Sequence, residues 1–193
     1  MDGTGGTLLD ERMRQQLDRG ERLIWSGMPK QGVMFRPSDA FAVPFSLMWG
    51  GFAIFWEASV LRIGTAPGFF VLWGIPFVAV GLYLIAGRFF YDAFCRARTL
   101  YGVTNQRALI ISGIWQRNTQ SIFLEGLTNI NLREAGSGSG TITFGPEPSG
   151  FSWNAGGWPG ANRNMSPRFE AIDEPRRVLD LIRNAQKTVN QQA

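Results

Sequence analysis

The residue inventory leaves little for catalysis to work with. The chain of 193 residues contains no histidine and one cysteine, Cys95. Histidine is the usual general base near neutral pH and the usual transition-metal ligand, so its absence removes Ser/His/Asp, Cys/His and zinc-type constellations. A single cysteine excludes an internal disulfide. Cys95 reads as a packed thiol, with acylation as the alternative for a cysteine beside a membrane. Gly3-Thr4-Gly5-Gly6 and Gly136-Ser137-Gly138-Ser139-Gly140 are glycine-rich, but neither joins a strand to a helix and no Gly-Lys-Ser/Thr follows. They read as flexible connections rather than phosphate loops. The pattern implies no catalytic residues, no metal and no cofactor.

Chemistry of recognition is better represented. Phe151-Ser152-Trp153-Asn154-Ala155-Gly156-Gly157-Trp158-Pro159 sets aromatics in a glycine-rich loop. Phe151, Trp153 and Trp158 are candidate partner contacts, since tryptophan is enriched in interface hot spots. The same rings fit insertion into a lipid headgroup layer or simple packing over the domain. Arg36, Arg88, Arg96 and Arg98 flank the apolar part of the chain. They either attract anionic lipid or only fix orientation across a membrane. Glu57, at the end of an apolar run, reads as a carboxylate snorkelling to water, with an ion-pathway role as the sharper alternative.

The elements that must carry these residues are set by two uncharged stretches, Ala40 to Trp56 and Ile63 to Gly87. Between positions 40 and 87 the only charges are Glu57 and Arg62. A bilayer core of about 30 Å is crossed by about 20 apolar residues in a helix, where backbone polar groups satisfy one another. The second stretch meets that length; the first is short and can extend through Ser59, Val60 and Leu61. Phe69 to Ala86 shows no polar stripe, against the pattern of a soluble amphipathic helix. The reading is a transmembrane hairpin. Two core helices of a soluble protein, or a re-entrant pair favoured by Gly50-Gly51, are the alternatives. Pro44 and Pro76 fall inside the runs.

The net charge is +4, and its distribution predicts orientation. Arg12, Arg14, Arg19, Arg22, Lys30 and Arg36 precede the first span; Arg88, Arg96, Arg98 and Arg107 follow the second; the loop offers Arg62. Both termini are expected in the cytoplasm, with a short loop from Glu57 to Pro67 outside. The start of the chain has no early apolar core of a cleaved signal, so the first span is expected to insert uncleaved. Trp56 and Trp73 fit one interfacial belt, and Phe89, Phe90 and Tyr91 the other.

Three regions follow. Residues 1–37 form an N-terminal cytoplasmic segment: a helix over Leu8 to Leu17, a short strand or extended piece from Glu21 to Gly27, and a linker with Pro29, Gly32 and Pro37. Residues 38–98 form the hairpin, with the second helix continuing through Arg88 to Arg98. Residues 99–190 form a soluble domain. Its expected strands include Arg107 to Gly113, Gln120 to Leu124, Leu127 to Leu132, Thr141 to Phe144 and Arg168 to Ile172. An amphipathic helix that starts near Asp173-Glu174-Pro175 is expected to bury Val178, Leu181, Ile182, Ala185 and Val189. Pro146 to Pro167 reads as a long loop.

Tyr101-Gly102-Val103-Thr104-Asn105-Gln106-Arg107, followed by Leu109-Ile110-Ile111 and Gly113, resembles the opening hairpin of bacterial pleckstrin-homology (PH)-like domains in small membrane proteins. Ser121-Ile122, Leu127-Thr128-Asn129-Ile130, Gly140-Thr141-Ile142 and Phe169 to Ile182 resemble later parts of that domain. Gly20-Glu21 with Trp25, Gly27 and Pro29 resembles its leader. The resemblance spans roughly residues 8 to 186. It implies a membrane α-helical hairpin plus an α+β soluble domain: a seven-stranded bent antiparallel sheet or open barrel capped by a C-terminal helix. The position of the sixth strand within 146–167 is open. PH domains that bind phosphoinositides use several basic residues around the first hairpin. Here Arg107 lies at that turn and Arg117 at the next, so no specific phosphoinositide recognition is expected. Most of the family has no assigned activity. The implied function is non-catalytic: a scaffold or accessory subunit of a bacterial inner-membrane complex. The alternative is a module sensing anionic lipid or the envelope. The expected partners are the bilayer and a membrane protein, with no nucleic acid.

Overall fold

The strand that begins the sheet precedes the helical hairpin in the chain, and the other strands follow it. In the computed structural model, which describes residues 3–35, 39–65, 67–113, 117–135, 138–146 and 166–192, the chain opens with α1 (Gly3–Arg14) and β1 (Leu23–Gly27). Two long helical runs follow: α2 (Asp39–Ile63), then α3 (Gly68–Leu82), a π-helical turn (Tyr83–Gly87) and α4 (Arg88–Arg96) in unbroken succession. Then come β2 (Leu100–Thr104), β3 (Arg107–Ser112), β4 (Asn118–Phe123), β5 (Ile130–Glu134), β6 (Ser139–Phe144), β7 (Arg168–Asp173) and α5 (Pro175–Gln192). The described residues form two units, one drawing on 3–32, 94–146 and 166–192, the other on 33–93.

In the first unit the strands make two antiparallel sheets, β1-β2-β3-β4 and β5-β6-β7. The seventh strand is thus supplied by the leader: Trp25 opposes Val103 and Gly27 opposes Tyr101. Residues 3–32 and the described residues of 99–146 and 166–190, set apart by sequence, share one unit through this pairing. The expected strand inside 146–167 concerns residues that lie mostly outside those described. The helix α1 begins at Gly3, so the run at 3–6, expected as a flexible connection, is helical. Glycine costs about 1 kcal/mol per residue in a helix, which local composition reads as a break. Packing answers it: Met13 is fully buried, and a Cβ added at Gly102 would stand 3.1 Å from its sulfur. Ser26 donates to the Asp10 carboxylate, tying α1 to β1.

One aromatic side chain joins the two sheets. Phe169 on β7 is fully buried. Its ring lies 4.7 Å from that of Tyr101 on β2, 5.0 Å from Phe144 on β6 and 6.0 Å from Trp25 on β1. Such ring pairs add about 0.5–1.5 kcal/mol each beyond area burial. Two residues on, Ala171 takes φ 51°, beside an irregularity in the β6–β7 register between Gly140 and Ile142. That bulge turns the Ala171 carbonyl toward the leader, where it accepts from the Lys30 N–H at 2.7 Å. The leader is therefore bonded to both sheets. Helix α5 opens on Pro175, whose missing N–H costs nothing in a first turn, and buries Val178, Leu179, Ile182 and Ala185. Gln186 donates to the carbonyls of Leu124 and Leu127, at 3.1 and 2.6 Å.

In the second unit α2 and the run from α3 pack antiparallel along small residues. A Cβ at Gly81 would lie 2.8 Å from Gly50 Cα, and one at Gly74 would meet the Glu57 carboxylate and the Trp56 ring. Glu57 therefore turns inward rather than snorkelling: its Oε2 is buried, with no hydrogen-bond partner among the described residues. At the other end Arg88 pairs with Asp39 at 3.0 Å, both side chains about nine-tenths buried. Trp56 and Trp73 lie at one level, since Trp56 rests on Gly74.

The seam makes a sharp prediction. Gly81→Ala places a methyl against backbone that cannot rotate away and should destabilise the hairpin by about 1–3 kcal/mol. Gly51→Ala meets no atom within 4 Å and should be neutral or slightly stabilising. Thermal unfolding of the two purified full-length variants, compared with the native chain, separates them; equal melting of both would remove the seam as a packing element.

Candidate functional site

The densest polar network is built where the leader meets the β2–β3 turn. Glu21 precedes β1, and its side chain is only 1% exposed. Its carboxylate accepts four hydrogen bonds: Arg107 Nε at 2.9 Å, the Arg107 terminal nitrogen at 2.9 Å, the Thr104 hydroxyl at 2.7 Å and the Asp18 backbone N–H at 2.9 Å. Four bonds fill the acceptor capacity of a carboxylate. Thr104 Oγ1 in turn accepts from the N–H groups of Gln106 and Arg107, at 3.2 and 3.0 Å, closing the turn. Asn105 clasps the leader from its other side, accepting from the Arg22 N–H at 2.7 Å and donating to the Arg22 carbonyl at 3.1 Å. Burial pushes the Glu21 carboxyl up, but the bonds from Arg107, Asp18 and Thr104, with the charge of Arg107, outweigh it and hold it below the ordinary 4.5. Arg107 also meets Asp18 at 2.9 Å. The basic residue expected at the opening hairpin is thus neutralised by two carboxylates.

A second feature lies at the opposite end of the same strands. A cavity of about 380 Å³ opens between α1, the end of β3 and the chain entering β2. Its lining includes Arg12, Arg98 and Arg117, with Gln16 and Ser112, beside an apolar wall of Leu9, Leu100 and Ile111. Among the described residues no carboxylate lines it.

The flanking arginines separate into different roles. Arg88 is buried on Asp39, and its guanidinium carbon lies 4.5 Å from the centroid of the Phe89 ring. Arg96 is 5% exposed and donates to the Gly32 carbonyl. Arg98 is exposed, stacked over Phe94 at 3.5 Å. Arg36 and the loop residues Phe151, Trp153 and Trp158 lie outside the described residues. Cys95 is a half-buried thiol. Among the described residues no group of three or more His, Cys, Asp or Glu is placed to hold a metal ion.

Two antiparallel sheets closed by a C-terminal helix, with the Thr104 to Arg107 turn between the first strands of the second half, agree with one family model. It is that of the bacterial PH domain, matched over residues 52–186. The chain belongs to this family. No curated protein and no solved structure matches. The PH-like fold is a non-catalytic one, in keeping with the residue inventory. The matched span begins inside α2, so the leader strand that completes the PH-like unit precedes it. Sequence reading noticed Glu21 only as part of a leader motif. Its partner Arg107 stands far along the chain, and only the acid in Gly20-Glu21 ahead of a Thr-x-x-Arg turn signalled the pair.

Removing the acid leaves Arg107 facing one exposed carboxylate. Glu21→Gln should cost about 3–5 kcal/mol, the range for breaking a buried pair. The stability that the depressed Glu21 pKa contributes is complete above 4.5 and is lost as pH falls through the lower folded value. Acid titration of unfolding should therefore be steeper below that pH for the native chain than for Glu21→Gln. Parallel curves would deny the coupling.

Proposed function

We propose that the protein is a two-span membrane protein whose PH-like unit acts by binding, as a scaffold or accessory subunit of a bacterial inner-membrane protein complex. The observation that carries the anchoring is the exposure of the two helical runs. Only 22% of the most apolar stretch of α2 and 11% of that in Gly68–Arg96 is buried. A core helix of a water-soluble protein hides its apolar face, whereas Phe52, Phe55 and Leu72 stand 66%, 70% and 69% exposed. Side chains of this size gain about 1.5–3 kcal/mol each on leaving water, and a bilayer satisfies all of them together. Two spans put both termini on one side, and the arginine-rich flanks favour the cytoplasm.

Binding to protein rather than to a phosphoinositide at the opening hairpin is favoured by what Arg88, Arg96 and Arg107 do. Arg88 and Arg96 are enclosed, which takes two of the four flanking cations out of any surface patch. Arg107 is held by Glu21 and Asp18, so the opening hairpin offers no free cation for a phosphoinositide. The candidate contacts are Phe151, Trp153 and Trp158.

Two measurements check this reading. A reporter fused after Ala193 should read as cytoplasmic and one inserted between Glu57 and Pro67 as external; the reverse pattern would refute the topology. Extraction in mild detergent should recover a stoichiometric membrane partner, and Trp153→Ala with Trp158→Ala should weaken its retention about tenfold, the loss of one hot spot's 1.4 kcal/mol or more. Recovery of the chain alone would count against an accessory role.

A further inference from the structure

Several described arginines answer to a carboxylate or a carbonyl. Arg88, Arg107, Arg168, Arg176 and Arg177 have acidic partners. Arg12, Arg98 and Arg117 do not: among the described residues none of the three is ion-paired, and all three line the one cavity beside α1. Like charges converging without counter-charge destabilise each other, and a concave site lined by one sign concentrates the opposite ion. Guanidinium groups suit phosphate oxygens because their N–H donors are set in a planar fork. Arg98 is steadied by its stack on Phe94, and Gln16 and Ser112 add neutral hydrogen-bonding groups. The apolar wall of Leu9, Leu100 and Ile111 favours a ligand that is anionic at one end and aliphatic at the other.

We propose that this cavity binds a phosphate group, carried by the head of an anionic phospholipid. It is a different place from the β2–β3 turn: Leu100 pairs with Ile111 at the cavity end of the hairpin, while Val103 pairs with Ala108 at the turn. Arg98 follows the last residue of α4 by two positions, so the cavity's chain segment leads directly out of the second apolar run. The site goes beyond partner binding and does not depend on it.

The test uses the full-length protein in a neutral detergent, titrated by calorimetry with dihexanoyl phosphatidic acid, inorganic phosphate and dihexanoyl phosphatidylcholine. Phosphatidic acid should bind saturably, once per chain, more tightly at low salt, and R98Q/R117Q should weaken it about tenfold or more. R98K/R117K, which keeps charge but loses the fork, should restore part of the affinity and confirm that the fold persists. R183Q, exposed on α5, should change nothing. Phosphate binding as tightly as the lipid would support the site with a free anion as its source; weaker phosphate binding supports the lipid. Unchanged affinity in R98Q/R117Q, equal loss in R183Q, or no binding of either anion at low salt would overturn the proposal.

Discussion

The bidentate pair between Glu21 and Arg107 is the contact on which the PH-like unit depends. It joins a residue ahead of the hairpin to one behind it, and so fixes which part of the leader faces the sheet. Charge burial alone argues against such a pair, since desolvating an ion costs several kcal/mol. Here every acceptor position of the carboxylate is used, and Thr104 serves both the pair and the turn that presents Arg107. The ion pair thus sets register more than it adds cohesion. With Glu21 seated on Thr104, Trp25 falls opposite Val103 and reaches Phe169. An irregularity between Leu23 and Trp25 shifts the register once, and Trp25, Ser26 and Gly27 then pair in step with Val103, Gly102 and Tyr101.

Pairing β1 with β2 requires closing a loop that contains the whole helical hairpin, and closure entropy grows with loop length. The hairpin removes most of that cost. Its antiparallel helices bring Asp39 and Arg88 to 3.0 Å, so the chain leaves and re-enters at neighbouring points. What must be closed is then the short linker on each side, not the intervening chain. The glycine seam at Gly50, Gly74 and Gly81 and the buried Asp39–Arg88 pair therefore matter to the sheet as well as to the helices. The inserted hairpin and the completed sheet are two parts of one folding problem.

The sequence made the local elements legible and the long-range ones obscure. Strands β3, β6 and β7 and helix α5 were readable because alternation and the 3.6-residue period are properties of a single segment. The long apolar runs were readable from composition. The leader was visible as an extended piece but not as the missing strand, because antiparallel pairing between β1 and β2 leaves no mark in either segment. The same holds for Arg88: an arginine at the end of an apolar run looks like a headgroup anchor until Asp39, at the far end of the neighbouring helix, is placed beside it. Glu57 was misjudged for a related reason. Nothing before Gly74 is brought next to it shows that a glycine leaves room for a carboxyl group between the helices.

The arginines therefore divide by what faces them, a property that net charge does not reveal. Arg107 and Arg88 face carboxylates and are used within the fold; Arg96 is absorbed by a backbone carbonyl. Arg12, Arg98 and Arg117 come from α1, from the exit of α4 and from the start of β4, and meet only because β1 docks α1 across the sheet. A cavity with unneutralised cations is thus a consequence of the leader's position. The Glu21–Arg107 pair acts together with Met13 packed beside Gly102 and Ser26 bonded to Asp10 to keep α1 beside the end of β3, where the three guanidiniums meet. The contacts that hold the leader on the sheet thus also assemble a concentrated positive charge beside α1.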